Sequence, residues 1–291
     1  MTTSTSANDT TPSPGLSATD IDLYRSDGLI VSPTRLSTGR LEAMRASVEK
    51  LLRDNTTLAP ESLVCPHIPY GPGHDAAAAA EWFDFATDPA ILDQVEQLIG
   101  PDIILWGSQV FCKPAGTGKE IPWHQDGQYW PIRPLATCSV WIAIDDASSE
   151  NGCMRYIPGS HAGGVVTRHR TSDRKDLVLN QEVDPALFDA AQAKDDVLDA
   201  GQFSLHDVYL IHGSNANRSG KRRAAFVIRY MPATSTFVRH AGDEHRQGEV
   251  SFSLSTRPIW LLRGRDRGGN DFAVGQGEDY QLVTRVSDET E

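Results

Sequence analysis

Apolar residues in the first third of the chain recur at helical spacing, whereas beyond Pro101 they gather into short dense runs. Ser17-Ala-Thr-Asp20 has the spacing of a capping box, with Asp where Glu or Gln is usual, and predicts a short helix. After Ser37, the residues Leu41, Met44, Val48, Leu51 and Leu52 form a helical stripe that should end near Asn55. Asp88-Pro89 reads as a cap followed by proline in the first turn. Ile91, Leu92, Val95, Leu98 and Ile99 then make a buried face, and Gly100 the stop. Residues 56–78, rich in proline and glycine (CPHIPYGPGHD), follow neither period, and a loop of this length suggests a task such as a lid.

The dense runs are IILWGSQVFCK (103–113), CSVWIAID (138–145), GCMRYI (152–157), QFSL (202–205), VYLIH (208–212) and RAAFVIRYM (223–231). Each reads as a strand. Helices followed by many short strands predict an α+β, mainly β, domain built on an antiparallel barrel or sandwich. The charged segment at 165–198 reads as a surface insertion. No repeat or linker divides the chain, so one domain is expected over 16–291. Residues 1–15 (MTTSTSANDTTPSPG) read as a solvated, disordered tail, with neither the basic start nor the apolar core of a secretory signal.

Composition narrows the partners. The 291 residues suffice for a sizeable core, and a formal net charge of -12 repels the phosphates of nucleic acids and anionic membrane surfaces. No apolar run approaches the ~20 residues that span a bilayer. A small anionic substrate in a local basic pocket stays compatible with this balance. Cys65, Cys112, Cys138 and Cys153 show no CxxC spacing, so buried free thiols and a reducing cytoplasm are expected. Nothing in the sequence speaks to oligomeric state.

Candidate chemistry centres on WHQDGQYWP. Of nine histidines, only His124 stands in an H-x-D pattern. On an extended segment His124 and Asp126 point to one face, as two ligands of one ion or as a surface pair. The bulky flanks Pro122-Trp123 and Tyr129-Trp130-Pro131 suit a pocket wall. His212 ends an apolar run before Gly213 and Ser214, as at a strand terminus, and is either a third ligand or a structural histidine. Two histidines and a carboxylate suit a non-heme iron(II) oxygenase, because three facial ligands leave three positions open. Arg223 opens an otherwise apolar strand and needs an anion, since an unpaired buried charge is costly. Arg223 is therefore paired with a structural carboxylate, exposed at the strand's start, or a clamp for the distal carboxylate of 2-oxoglutarate. Arg222 should point the opposite way, to solvent.

Three blocks then carry a resemblance from Lys113 to Pro232: KPAGTGKEIPWHQDGQYWPIRP, SVWIAIDDASSENGCMRYIPGSH and SLHDVYLIHGSNANRSGKRRAAFVIRYMP. In this order they resemble the phytanoyl-CoA dioxygenase family of iron(II)/2-oxoglutarate oxygenases. The resemblance implies a double-stranded β-helix (jelly roll) flanked by N-terminal helices. It places His124, Asp126 and His212 on the metal triad and Arg223 on the 2-oxoglutarate arginine. Ser214 matches a residue that helps hold the same carboxylate, and Trp141 a tryptophan beside the co-substrate. Related halogenases have a small residue at the carboxylate position, so Asp126 implies hydroxylation or desaturation.

The segment after the H-x-D motif borders the substrate space in this family. Gln125, Tyr129, Trp130 and Arg133 are therefore candidate substrate contacts, and Lys113 a residue facing 2-oxoglutarate or substrate. A straight strand over 202–212 would leave His206 ~20 Å from His212, whereas a corner at Asp207 would bring it to the pocket lining. The expected activity is hydroxylation or desaturation of an unactivated C–H bond in a small organic molecule, such as an amino acid or natural-product intermediate, using iron(II), 2-oxoglutarate and dioxygen. The alternatives are a metal-binding jelly roll that isomerises or binds a ligand without oxygen, and a non-catalytic interaction protein on that scaffold.

Overall fold

The computed structural model describes residues 15–68, 80–239, 245–247, 250–252 and 254–275. The helices are α1 (Ala18–Asp27), α2 (Thr38–Asp54), α3 (Ala80–Ala86) and α4 (Pro89–Ile99). The first strands are β1 (Leu29–Arg35), β2 (Leu63–Val64), β3 (Ile103–Lys113), β4 (Ile121–His124), β5 (Ile132–Arg133) and β6 (Cys138–Ala143). Next come β7 (Met154–Tyr156), β8 (His169–Thr171), β9 (Gln181–Val183), β10 (Lys194–Asp196), β11 (Gln202–Asp207) and β12 (His212–Ser214). The last are β13 (Arg223–Pro232), β14 (Thr236–Phe237), β15 (His245–Gln247), β16 (Val250–Phe252) and β17 (Trp260–Arg263).

Helix ends follow the local chemistry. Ser17 and Asp20 exchange hydrogen bonds as a capping box, and Asp88 accepts from the Ala90 amide at 3.0 Å ahead of Pro89. Two antiparallel sheets form a jelly roll. The larger runs β1-β11-β6-β13-β3-β17, with β2 added against β3, and the smaller runs β10-β7-β12-β4.

Strand alternation explains how the large sheet is covered. On one face Cys138, Val140 and Ile142 of β6 join Ala224, Phe226, Ile228 and Tyr230 of β13. This face packs on Met44, Val48 and Leu51 of α2, Trp82 and Phe85 of α3, and Ile91 and Val95 of α4. On the other face Trp141, Ala143, Ala225 and Val227 meet Met154 and Tyr156 of the smaller sheet. Strands buried on both faces lose the simple alternation of apolar and polar residues, which is why β13 reads as a nearly continuous apolar run.

Several expectations need correction. The 208–212 run is not a strand. Asp207 closes a turn, accepting from the Tyr209 amide at 2.8 Å through Oδ1 and from the Leu210 amide at 3.1 Å through its carbonyl. Val208, Leu210 and Ile211 are apolar because they are buried, and His212 begins β12 instead of ending a strand. The 165–198 segment is more than an insertion: β8 and β9 pair, β10 extends the smaller sheet, and Leu179 and Val183 are buried. The sequence reading had no counterpart to α3. Residues 56–68 pack on β3 through Leu63 and Val64, and the rest of the expected lid lies outside the described residues, as do residues 1–14 of the expected tail.

Phe226 is fully buried and makes an edge contact with Trp82, their ring centroids 4.8 Å apart. Phe226→Ala should lower unfolding stability by about 3–5 kcal/mol in denaturant titrations. Leu23→Ala, at a position 46% exposed, should stay within about 0.5 kcal/mol of wild type.

Candidate active site

The central pair of side chains is set by strand pairing. In the smaller sheet β12 lies against β4 with His212 directly opposite His124, and their ring centroids are 4.3 Å apart. The strands approach so closely at Gly213 that a Cβ there would sit 2.8 Å from the Ile121 carbonyl oxygen. Gln125 is extended (φ -116°, ψ 132°), so Asp126 projects to the same side as His124 before a tight turn over Asp126–Gln128. One ligand atom from each of His124, Asp126 and His212 lies within 4.8 Å of the others, and all three residues are buried.

Protonation is also arranged. His124 Nδ1 lies 2.9 Å from the Pro122 carbonyl and His212 Nδ1 2.9 Å from the Leu210 carbonyl. A carbonyl only accepts, so both protons sit on Nδ1 and each Nε2 keeps a lone pair for a metal. Burial, followed by the nearby His124, pushes the His212 pKa down to about 3, which keeps it neutral. Burial would raise the Asp126 carboxyl, but His124 and His206 outweigh it and hold the group well below the usual carboxylate range. Two imidazole nitrogens and a carboxylate converging in a buried site fit a divalent transition metal.

The second element is a pair of buried basic side chains where the start of β13 meets the end of β3. Arg223 stands opposite Lys113 of β3. Its Nε donates to the Gly152 carbonyl at 3.1 Å, while Nη1 is buried with no partner. Its guanidinium carbon lies 5.3 Å from the Trp141 ring centroid. Lys113 Nζ donates to Ser214 Oγ at 2.7 Å. Burial, followed by the charge of Arg223, pushes the Lys113 pKa down to about 6. Neither cation forms an ion pair with a described carboxylate. An anion arriving here would satisfy the orphaned guanidinium and favour the charged lysine. Arg222 turns to the opposite face as expected, but is held by Asp145 at 2.8 Å and by Glu49 instead of standing free in solvent.

A cavity between the sheets joins these elements. It encloses about 510 Å³ not filled by protein atoms, its open mouth included, and Trp141, His206, Ser214 and Arg223 line it with the three candidate ligands. The corner at Asp207 carries His206 to the site, 3.7 Å from Asp126 Oδ2 and 5.0 Å from His212 between ring centroids. The candidates after the H-x-D motif are different. Gln125 uses its amide to join loops, donating to the Val165 and Tyr209 carbonyls and accepting from the Thr167 amide. Tyr129 and Trp130 belong to a buried cluster with Trp106 and Phe237. Arg133 is exposed and donates to the Ile132 carbonyl. None of these four lines the cavity, and Trp123 packs outside it against Phe188. Of the bulky flanks of the motif, Tyr129 and Trp130 are core and Trp123 is half-buried outside the cavity.

Arg229 does line the cavity, and the sequence reading passed over it. The missed signal was parity: Arg229 is six residues from Arg223 on one strand, and an even separation puts both on the same face.

The phytanoyl-CoA dioxygenase family model matches residues 24–225. Human peroxisomal phytanoyl-CoA dioxygenase is 28% identical over 209 residues, covering 64% of this chain but only 60% of the human protein. L-proline trans-4-hydroxylase of Streptomyces griseoviridis is 26% identical over 238 residues, covering 73% of this chain and 85% of that protein. Among solved structures, the apo form of the non-heme monooxygenase ThoJ superposes with a TM-score of 0.66 at 26% identity, covering 91% of this chain and 92% of that one. The chain belongs to the phytanoyl-CoA dioxygenase family of iron(II)- and 2-oxoglutarate-dependent oxygenases.

Proposed function

We propose that this protein is an iron(II)- and 2-oxoglutarate-dependent hydroxylase of a small organic molecule, with His124, Asp126 and His212 as metal ligands and Arg223 as the co-substrate clamp. The observation that carries this reading is the orphaned Arg223 guanidinium, buried in the same cavity as the triad. A metal-binding isomerase has no use for a buried guanidinium with an unpartnered nitrogen beside its metal. Iron(II) held there supplies dioxygen activation coupled to oxidative decarboxylation of 2-oxoglutarate. One oxygen atom of O2 enters succinate, the other enters the substrate as hydroxyl, and carbon dioxide leaves.

The chain's own residues bind and orient. Arg223 offers a planar fork to the distal carboxylate, Ser214 extends that cradle with Lys113 bonded behind it and outside the cavity lining, and Trp141 forms its wall. His206 and Ser139, whose Oγ is 3.5 Å from Asp126 Oδ2, hold the carboxylate ligand in orientation. Burial of all three ligands excludes water from the reacting centre. A carboxylate at position 126 occupies the coordination position that a halide would need, which favours hydroxylation. The cavity is lined by apolar side chains with a few convergent polar groups, as small-molecule sites are. Together with the likeness to a proline hydroxylase, it supports an amino acid or similarly small substrate. Four buried, unpaired cysteines support a reducing, cytoplasmic setting. Succinate release across a metabolite panel, with iron(II) and 2-oxoglutarate supplied, tests the reading, and turnover independent of 2-oxoglutarate would refute it.

Hydrogen bonds to a charged group contribute roughly 1.5–3 kcal/mol each. Arg223→Ala should therefore raise the 2-oxoglutarate requirement at least about tenfold, the equivalent of ~1.4 kcal/mol, with metal affinity nearly unchanged. Arg222→Ala, on the opposite face, should leave that requirement within about twofold. A larger effect at Arg222 than at Arg223 would reverse the assignment.

Asp126→Ala should weaken iron(II) or cobalt(II) binding in equilibrium titration and abolish native hydroxylation. Near-wild-type hydroxylation by this variant would remove the carboxylate from the metal site.

A further inference from the structure

Rows of side chains cross the inner face of the large sheet and fix where charge lies. Arg223 and Lys113 make one row. Six residues along β13, roughly 20 Å at ~3.3 Å per residue, Arg229 stands opposite Ser139 on one side and Gly107 on the other. The next strand over continues that row with His206, opposite Ser139. Arg229 is thus at the end of the cavity wall away from the co-substrate cradle, in the row that touches Asp126.

Its environment resembles an unfilled anion site. Arg229 is 4% exposed and lines the cavity. Nη2 donates to Gln109 Oε1 at 3.0 Å, a neutral acceptor, and Nε is buried without a partner. Its guanidinium carbon lies 5.3 Å from the Trp130 ring centroid, a stack that orients the group but does not neutralise it. It forms no ion pair with a described carboxylate. Asp126 attracts it through its charge, but the two form no ion pair, and Asp126 converges with His124 and His212 on the candidate metal position. Gly107 contributes no side chain beside it: a Cβ there would lie 3.6 Å from Arg229 Cδ and 3.7 Å from Arg257 Nη1.

Resting on the oxygenase reading, the two carboxylates of 2-oxoglutarate are accounted for by chelation at the metal and by the Arg223 end. Arg229 is left over, and a buried guanidinium with one neutral partner requires another anion. We propose that Arg229 binds a carboxylate of the primary substrate, so that the enzyme acts on small carboxylic acids. The substrate is held by its charge at this end, with the C–H bond to be oxidised presented to the metal.

The test uses protein loaded with iron(II) and 2-oxoglutarate under argon, so that nothing turns over. Calorimetry follows three acid–amide pairs: L-proline and L-prolinamide, benzoate and benzamide, N-acetylglycine and N-acetylglycinamide. At least one acid should bind tenfold or more tightly than its amide. Arg229→Gln should reduce that preference below about twofold, and Arg229→Lys, which keeps the charge without the fork, should retain part of it. Gly107→Leu, which keeps the guanidinium but fills the space beside it, should weaken the same acid. The inference is overturned if no acid is preferred over its amide, or if the preference survives in Arg229→Gln. Binding of 2-oxoglutarate is measured first on each protein. Its absence in wild type would sink the oxygenase reading itself, whereas its presence without acid preference would sink only the substrate assignment.

Discussion

The guanidiniums of Arg223 and Arg229 are buried on a sheet whose opposite face is sealed by helices, so each can find an anion only in the cavity between the sheets. That constraint organises the site. β13 must be apolar where it meets α2, α3 and α4, and strand parity then delivers every second residue to the interior. Ala225 and Val227 fill the space between the two cations and leave room for ligands. The smaller sheet closes the other side and contributes the two histidines through a single cross-strand pair, made possible by the close approach at Gly213.

Local signals in the sequence were read well where the physics is local. The Ser17 capping box, the Asp88-Pro89 start and the 103–113 run depend on neighbours within a few residues, and the structure has helices and a strand at those places. The H-x-D pair is equally local, because an extended Gln125 suffices to align it. The errors arose where burial, not periodicity, decides the residue type. Val208 to Ile211 are apolar because the turn closed by Asp207 is buried, and Tyr129 and Trp130 are aromatic because they pack in a core behind the motif. Gln125 is polar because three loop groups need its amide, a demand set by residues 40 or more positions away. Arg229 was legible in principle, since parity from Arg223 is a local rule, but it is informative only once Arg223 is known to face inward.

The distribution of polar groups separates scaffold from chemistry. A fully satisfied buried amide, such as Gln125, rigidifies the fold and seeks nothing further. An incompletely satisfied guanidinium, such as Arg223 or Arg229, does the opposite: it weakens the empty protein and strengthens whatever ligand completes it. Burial of a preformed ion pair yields little net stability, because desolvation of both ions offsets their attraction. Here the desolvation is already met by folding, and the ligand brings only its own share.

It follows that stability and binding are coupled in this fold. Any anion that completes a buried cation stabilises the folded chain in proportion to the logarithm of its concentration over its dissociation constant. Lys113 lies on this coupling: burial and then Arg223 push its pKa down to about 6 against the weaker pull of Glu61 and Glu120, and a further anion nearby favours its charged form. The triad has the complementary design. Both histidines turn Nδ1 to a backbone carbonyl, which leaves Nε2 for a metal, and Asp126 carries the negative charge. One end of the cavity thus waits for an anion and its centre for a cation. A dicarboxylate whose keto acid end chelates a metal satisfies both within one molecule.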